Sequence, residues 1–205
     1  MQYQRGLLFL GVGIALLMLT HQLGDLMIKA MIPLCQWVIH QMDYRFDSTL
    51  LNITHLHGEN FLQLDVVLSQ PFWVESEVMA PNQPIHDSAV ISFSSALQPV
   101  VITLTIILAW PAKQFITYIY RLTIALPLIL LVMSLDMPIQ LVNSTWQGIE
   151  KNLQFNSQAS IANISWFGYL SDFLNGGGLM ALSIACGLLA IGLVTLINSN
   201  TTTLN

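Results

Sequence analysis

Residues 50–70 read LLNITHLHGENFLQLDVVLSQ, and they sit in a chain whose other long segments are strongly apolar. Leu62, Leu64, Val66 and Leu68 alternate with Gln63, Asp65 and Ser69, interrupted only by Val67. A period of two places the leucines and the valine on one face of a half-buried strand. The preceding Leu50 to His57 is its expected hairpin mate across Gly58-Glu59-Asn60. The chain therefore carries a small β element among helices.

Working outward, residues 43–89 keep this strand-like patterning and contain Pro71, Pro81 and Pro84, making them the only region polar enough to meet water. Fewer than 50 residues make a thin core, so this insertion is expected to rest on a helix, a membrane surface or a partner. On its N-terminal side, MQYQRGLLFLGVGIALLMLT carries one basic residue, Arg5, before a long apolar run with no small-x-small cleavage site. We read residues 1–24 as an uncleaved signal-anchor span held by Arg5 in the cytoplasm. In residues 25–41 and just before, Gln22, Asp25, Lys29, Gln36 and His40 fall in one narrow sector at 100° per residue. Such a stripe suits an interfacial helix or one packed on protein, and Pro33 is expected to kink it.

On the C-terminal side follow apolar runs at 90–110, 122–142 and 175–197. They are separated by a loop at 111–121 with Lys113 and Arg121 and by a polar segment at 143–174, and a polar tail occupies 198–205. The expected fold class is an integral membrane protein, mainly α, with four transmembrane helices. A small β-containing extracytoplasmic insertion, residues 42–89, lies between spans 1 and 2. Placing Arg5, Lys113 and Arg121 inside puts both termini in the cytoplasm, and all eleven acidic residues then fall on the outer side or near outer span ends.

Composition agrees with this class. Hydrophobic residues make up 54% of the 205 and charged residues 8%, against roughly 25% charged in soluble domains. A net charge of −5 leaves no basic surface for nucleic acid. Cys35 and Cys186 lie in separate apolar stretches and read as buried thiols, neither a disulfide framework nor a CxxC motif.

Chemistry-bearing candidates are few. His55 and His57 alternate on one strand, with Cα atoms about 6–7 Å apart, and could share a metal if His86 supplied a third ligand. No spacing forces that convergence, and the same histidines suit the end of a hairpin. In DYRFD, Asp43, Arg45 and Asp47 share one side of an extended strand, either as an ion pair or as the exit of the striped helix. Asp136, beside Pro138, is expected near the outer end of the third span and solvated. Ser183/Gly187, Ala181/Ala185 and Gly11/Ala15 have the small-xxx-small spacing of close helix contact. Asn52, Asn143 and Asn163 head Asn-x-Ser/Thr triplets on the expected outer side. No catalytic residue or cofactor is assigned. A metal ion at the histidines is the one candidate ligand.

The order of segments and the stretch DSAVISFSSALQPVVITLTIILAWPAKQFITYIYRLTIALPLILL, where a strand runs into a span with an internal proline, resemble the bacterial membrane proteins encoded beside exosortases. Exosortases themselves use a Cys, Arg and His set. Here Cys186 is isolated, and Cys35 has His40 nearby without a positioned Arg. The resemblance thus implies an exosortase-associated protein rather than the enzyme, and the low charge density with no converging catalytic set leads us to expect a noncatalytic accessory subunit of the bacterial inner membrane, whose partners are other integral membrane proteins and the bilayer. A membrane enzyme or metal-handling protein with an outer-face histidine site is the alternative.

Overall fold

The computed structural model describes every residue except 1, 44–45, 57, 69–71, 75–76, 80–88, 113, 157–164 and 203–205. In chain order the elements are α1 (Gln2–Met42), β1 (Phe46–Leu56), β2 (Glu59–Leu68), β3 (Phe72–Val74), β4 (Glu77–Met79) and β5 (Ala89–Ser92), then α2 (Phe93–Ala109), α3 (Phe115–Asn156), α4 (Ser165–Phe173) and α5 (Leu179–Thr202). Among the described residues three segments, Leu8–Met42, Phe115–Ile149 and Trp166–Ile197, are by length and composition apolar enough to cross a membrane, the pattern of a multi-pass membrane protein. α2 is apolar too but has only 17 residues.

The hairpin forms as its alternation predicts. β1 and β2 pair antiparallel from Phe46↔Leu68 to Leu56↔Glu59, so Glu59 and Asn60 already belong to the strand rather than to the turn. Gly58 closes the hairpin at φ 84°, a left-handed conformation that glycine adopts without a Cβ penalty. Leu62, Leu64 and Val66 are buried, as is Leu51 opposite Leu64. β5 joins the other edge of β2 and buries Ala89 and Ile91 beside Leu64 and Leu62. The sheet order is β1-β2-β5, and β3 and β4 form a separate two-stranded ribbon.

Two local devices switch the chain between strand and helix. At the end of α1 the Asp43 N–H still bonds the Ile39 carbonyl (3.0 Å), while the Asp43 carbonyl accepts from the Phe46 N–H (3.3 Å) and turns the chain into β1. At the start of α2, Ser92 Oγ accepts from the Ser95 N–H (3.3 Å), the side-chain cap that an N-terminal serine supplies. The strand therefore runs directly into the helix, and the apolar run expected at 90–110 begins as β5. α1 is one helix through Pro33, so the striped segment continues the first apolar run. α3 likewise runs through residue 142 to Asn156. At about 1.5 Å per residue α1 and α3 are each about 60 Å long, twice the hydrocarbon thickness of a bilayer.

The chain forms two compact units. The first comprises Met1–Asp25, Leu97–Met133 and Gly176–Asn205. Within it α1 and α2 run antiparallel: a Cβ on Gly24 would come within 2.8 Å of Leu97 Cδ1, and one on Gly13 within 3.7 Å of Thr105. α2 and α5 run parallel, since Thr103 Oγ1 donates to the Ser183 carbonyl (3.0 Å) and Gly187 lies against Ile106. Val132 of α3 packs with Leu179 and Cys186 of α5. Of the small-xxx-small pairs in α5, Ser183/Gly187 is buried and makes this contact, while Ala181 and Ala185 are exposed.

The second unit comprises Leu26–Ala96 and Ser134–Asn175. It unites both sheets with the later halves of α1 and α3 and with α4. The β insertion thus falls in one compact unit with these helices, in line with the shortage of apolar area in fewer than 50 residues.

Gly187 supplies a stability test. A Cβ there would lie 3.0 Å from Ile106 Cγ2 and 3.1 Å from Ile106 Cβ, whereas Gly192 has nothing within 4 Å. Gly187→Val is expected to cost about 1–3 kcal/mol by overpacking. Gly192→Ala should be neutral, or stabilising by up to about 1 kcal/mol through helix propensity. Thermal unfolding in mild detergent distinguishes the two.

Candidate functional site

In the second unit two contacts join α1, or the turn that ends it, to α3. Cys35 Sγ donates to Met137 Sδ at 3.7 Å, and both side chains have no solvent exposure. Eight residues further along the chain from Cys35, Asp43 Oδ2 accepts a hydrogen bond from Trp146 Nε1 at 2.9 Å. Asp43 and Trp146 are 2% and 1% exposed, so this bond is made away from water. Phe46 stacks on Trp146 with ring centroids 5.7 Å apart. The order of contacts, 35 with 137 and 43 with 146, makes α1 and α3 parallel within this unit.

This arrangement assigns structural work to groups that sequence left open. Asp43 of DYRFD holds an indole; Arg45 lies outside the described residues. Asp136, expected to be solvated, is instead buried at 2% exposure on α3 and accepts from Gln140 Nε2 at 2.7 Å. The reason is the length of α3: it continues past residue 142, so Asp136 falls inside a packed helix rather than at its end. Asn143 is buried in the same helix, so its triplet is no glycosylation acceptor in the folded chain, and Asn163 lies outside the described residues.

Of the three candidate metal ligands, the structure describes His55 alone. It is exposed on β1 opposite Asn60, on the face that buries Leu51 but beyond the covered part. His57 and His86 lie outside the described residues. Among the described residues no three His, Cys, Asp or Glu side chains come together as a ligand set. The opposite face of the hairpin carries a polar cluster: Asn52 Nδ2 donates to Asp65 Oδ2 and Gln63 Nε2 to Asp65 Oδ1, both at 2.9 Å. Both carboxylate oxygens are thereby engaged by amides.

In the first unit, Arg121 is 3% exposed and reaches the end of α2. Its Nη1 donates to the Trp110 carbonyl (2.8 Å) and its Nη2 to the Pro111 carbonyl (3.4 Å), with the guanidinium 5.6 Å from the Tyr118 ring centroid. A cation at a helix C-terminus satisfies carbonyls that lack an intrahelical donor and complements the helix dipole. From sequence alone Arg121 counts only as a topological charge. The signal for this second role was its position just after a proline-terminated helix. Cys186 sits among Val132 and Leu179 as a packing thiol.

Comparison of the chain with protein-family models, with curated proteins and with solved structures finds no match.

The Asp43–Trp146 bond is testable by a double-mutant cycle. Asp43→Ala strands a buried indole N–H and Trp146→Phe removes the donor while keeping an aromatic ring beside Phe46. Each is expected to destabilise by about 1–3 kcal/mol, with a coupling of at least about 1 kcal/mol between them in thermal unfolding. Arg121→Lys keeps the charge but loses the planar fork, and should cost about 1–2 kcal/mol in the same assay.

Proposed function

We propose that this chain is a noncatalytic accessory subunit of a bacterial inner-membrane complex, of the kind its layout resembles beside exosortases. It crosses the membrane four times, keeps both termini in the cytoplasm and presents the β1-β2-β5 sheet on the outer side. The observation that carries this reading is the employment of the buried reactive groups. Asp43 holds Trp146, Asp136 holds Gln140, Arg121 holds helix-end carbonyls, Cys35 faces Met137 and Cys186 packs among aliphatic groups. None of these pairs sets a nucleophile against a base. Meanwhile the long helices expose leucines and aromatics such as Leu17, Leu26, Trp37, Leu131 and Leu196, a surface fit for lipid and for the spans of other proteins.

The four-pass arrangement draws support from helix direction. α1 and α3 run parallel in the second unit, and α2 runs antiparallel to α1 in the first. A chain that climbs twice in the same direction must return between the two climbs. α2 is the helix available for that return, and its 17 residues fall at the lower end of the spanning range of about 17–25. The exposed Trp110 at its end and the Arg121-held turn then mark the inner interface.

Purification of the tagged chain from native membranes in mild detergent tests the functional reading. The expected result is at least one other integral membrane protein retained in fixed stoichiometry. A chain that emerges without partners and shows catalytic turnover by itself contradicts it.

A further inference from the structure

α4 (Ser165–Phe173) has three distinct sides when projected at about 100° per residue. Phe167 and Ser171 share one side and are 4% and 3% exposed. A Cβ on Gly168 would lie 3.8 Å from Asn143 Oδ1, which places α4 beside α3 within the second unit. Trp166, Tyr169 and Phe173 fall in a second sector about 60° wide and are 54%, 74% and 58% exposed. Asp172, also exposed, stands on the third side, about 60° beyond Tyr169.

Helical geometry ends after α4. Gly177 has φ 113°, a left-handed conformation that breaks the helix before α5. α5 then runs 24 residues from Leu179 to Thr202, about 36 Å at about 1.5 Å per residue. That length crosses about 30 Å of hydrocarbon without any contribution from α4.

Neither bulk water nor hydrocarbon suits the exposed sides of α4. Three large aromatics side by side form an apolar patch of the kind that marks a contact surface, while the carboxylate of Asp172, one turn from Tyr169, is excluded from the acyl region. Trp and Tyr combine an apolar ring with a polar tip, the chemistry that suits the headgroup layer. Covalent continuity supplies the place. Six residue steps lead from Phe173 to Leu179 and reach at most about 20 Å. Beyond them Met180, Leu182, Ile184, Leu188 and Leu189 of α5 are exposed, a surface fit for lipid.

We propose that the aromatic side of α4 docks on the bilayer itself, its occupant being the headgroup layer of the leaflet that α5 enters. α4 is then an interfacial helix and not the first turns of a span. Trp166 Nε1 and the Tyr169 hydroxyl meet headgroup oxygens, the rings and Phe173 meet the first acyl methylenes, and Asp172 faces water. The inference rests on the membrane reading of α5 and is independent of the accessory-subunit reading.

Spin labelling of the full chain, reconstituted alone in vesicles of phosphatidylethanolamine and phosphatidylglycerol, tests it. Labels are placed singly at Trp166→Cys, Tyr169→Cys and Phe173→Cys. Asn52→Cys on exposed β1 is the water reference, Leu189→Cys on α5 is the hydrocarbon reference, and the buried Cys35 and Cys186 set the background. The readout is the ratio of collisions with oxygen, which concentrates in lipid, to collisions with a water-soluble nickel chelate. At all three α4 positions this ratio is expected to lie at least about threefold above that at Asn52 and at least about threefold below that at Leu189. A ratio equal to that at Asn52 means that the aromatic side meets water in place of lipid, and one equal to that at Leu189 means that α4 continues the span. Either result overturns the proposal and leaves α5 in the membrane. A ratio at Leu189 no higher than at Asn52 overturns the membrane reading of α5 and the proposal with it.

Discussion

The bond from Trp146 to Asp43 is the contact on which the rest of the second unit depends. It joins residues 103 apart in sequence, at the point where α1 ends and β1 begins. Asp43 also shapes the exit turn through its backbone, and Phe46, three residues on, completes the joint by stacking on the same indole. A carboxylate at 2% exposure is costly to bury unless its hydrogen bonds are met. The cost makes the joint specific: the register of α1 on α3 and the departure direction of the sheet are set together. A purely apolar contact would tolerate sliding by a turn, whereas a single buried donor and acceptor would not.

From this joint follows the direction of the helices. With Cys35 against Met137 and Asp43 against Trp146, α1 and α3 point the same way within the second unit. Further along the chain a strand becomes a helix at the Ser92 cap, and in the first unit Arg121 pins the turn after α2 on the Trp110 carbonyl. Close packing of α2 is obtained by small residues on its neighbours, Gly24 on α1 and Gly187 on α5. These are geometric requirements, and each is met by a residue type suited to it.

Much of this was legible in the residues themselves. The alternation of Leu62, Leu64 and Val66 announced β2, and the passage from AVIS into FSSALQPVV announced a strand entering a helix. The Ser183/Gly187 spacing announced a helix contact, though not which of two such pairs would make it. What escaped was tertiary. Residues 143–156 look polar in isolation, so an end to α3 near residue 142 was the natural expectation. Burial of Asn143, Thr145 and Trp146 within the second unit is what lets the helix continue. Asp136 reads as solvated for the same reason, because its burial follows only once the helix is known to continue, whereas Asp43 stands at the exit of the striped helix as expected and only its indole partner is invisible in sequence. The histidines show the reverse case. His55 and His57 have suggestive spacing, yet His55 stands exposed at the end of the hairpin.

The claim that most depends on the parallel helices is that α2 crosses the membrane between the sheet and the Arg121 turn. It is tested by labelling with a membrane-impermeant thiol reagent, using Asn52→Cys on exposed β1 and Gln114→Cys in the turn before α3. The account predicts that Asn52→Cys and Gln114→Cys react from opposite faces of the membrane, so that whichever face is accessible in intact cells only one of them is labelled until the membrane is opened. Reaction of both positions from the same side would mean that α2 does not cross, and would contradict the account.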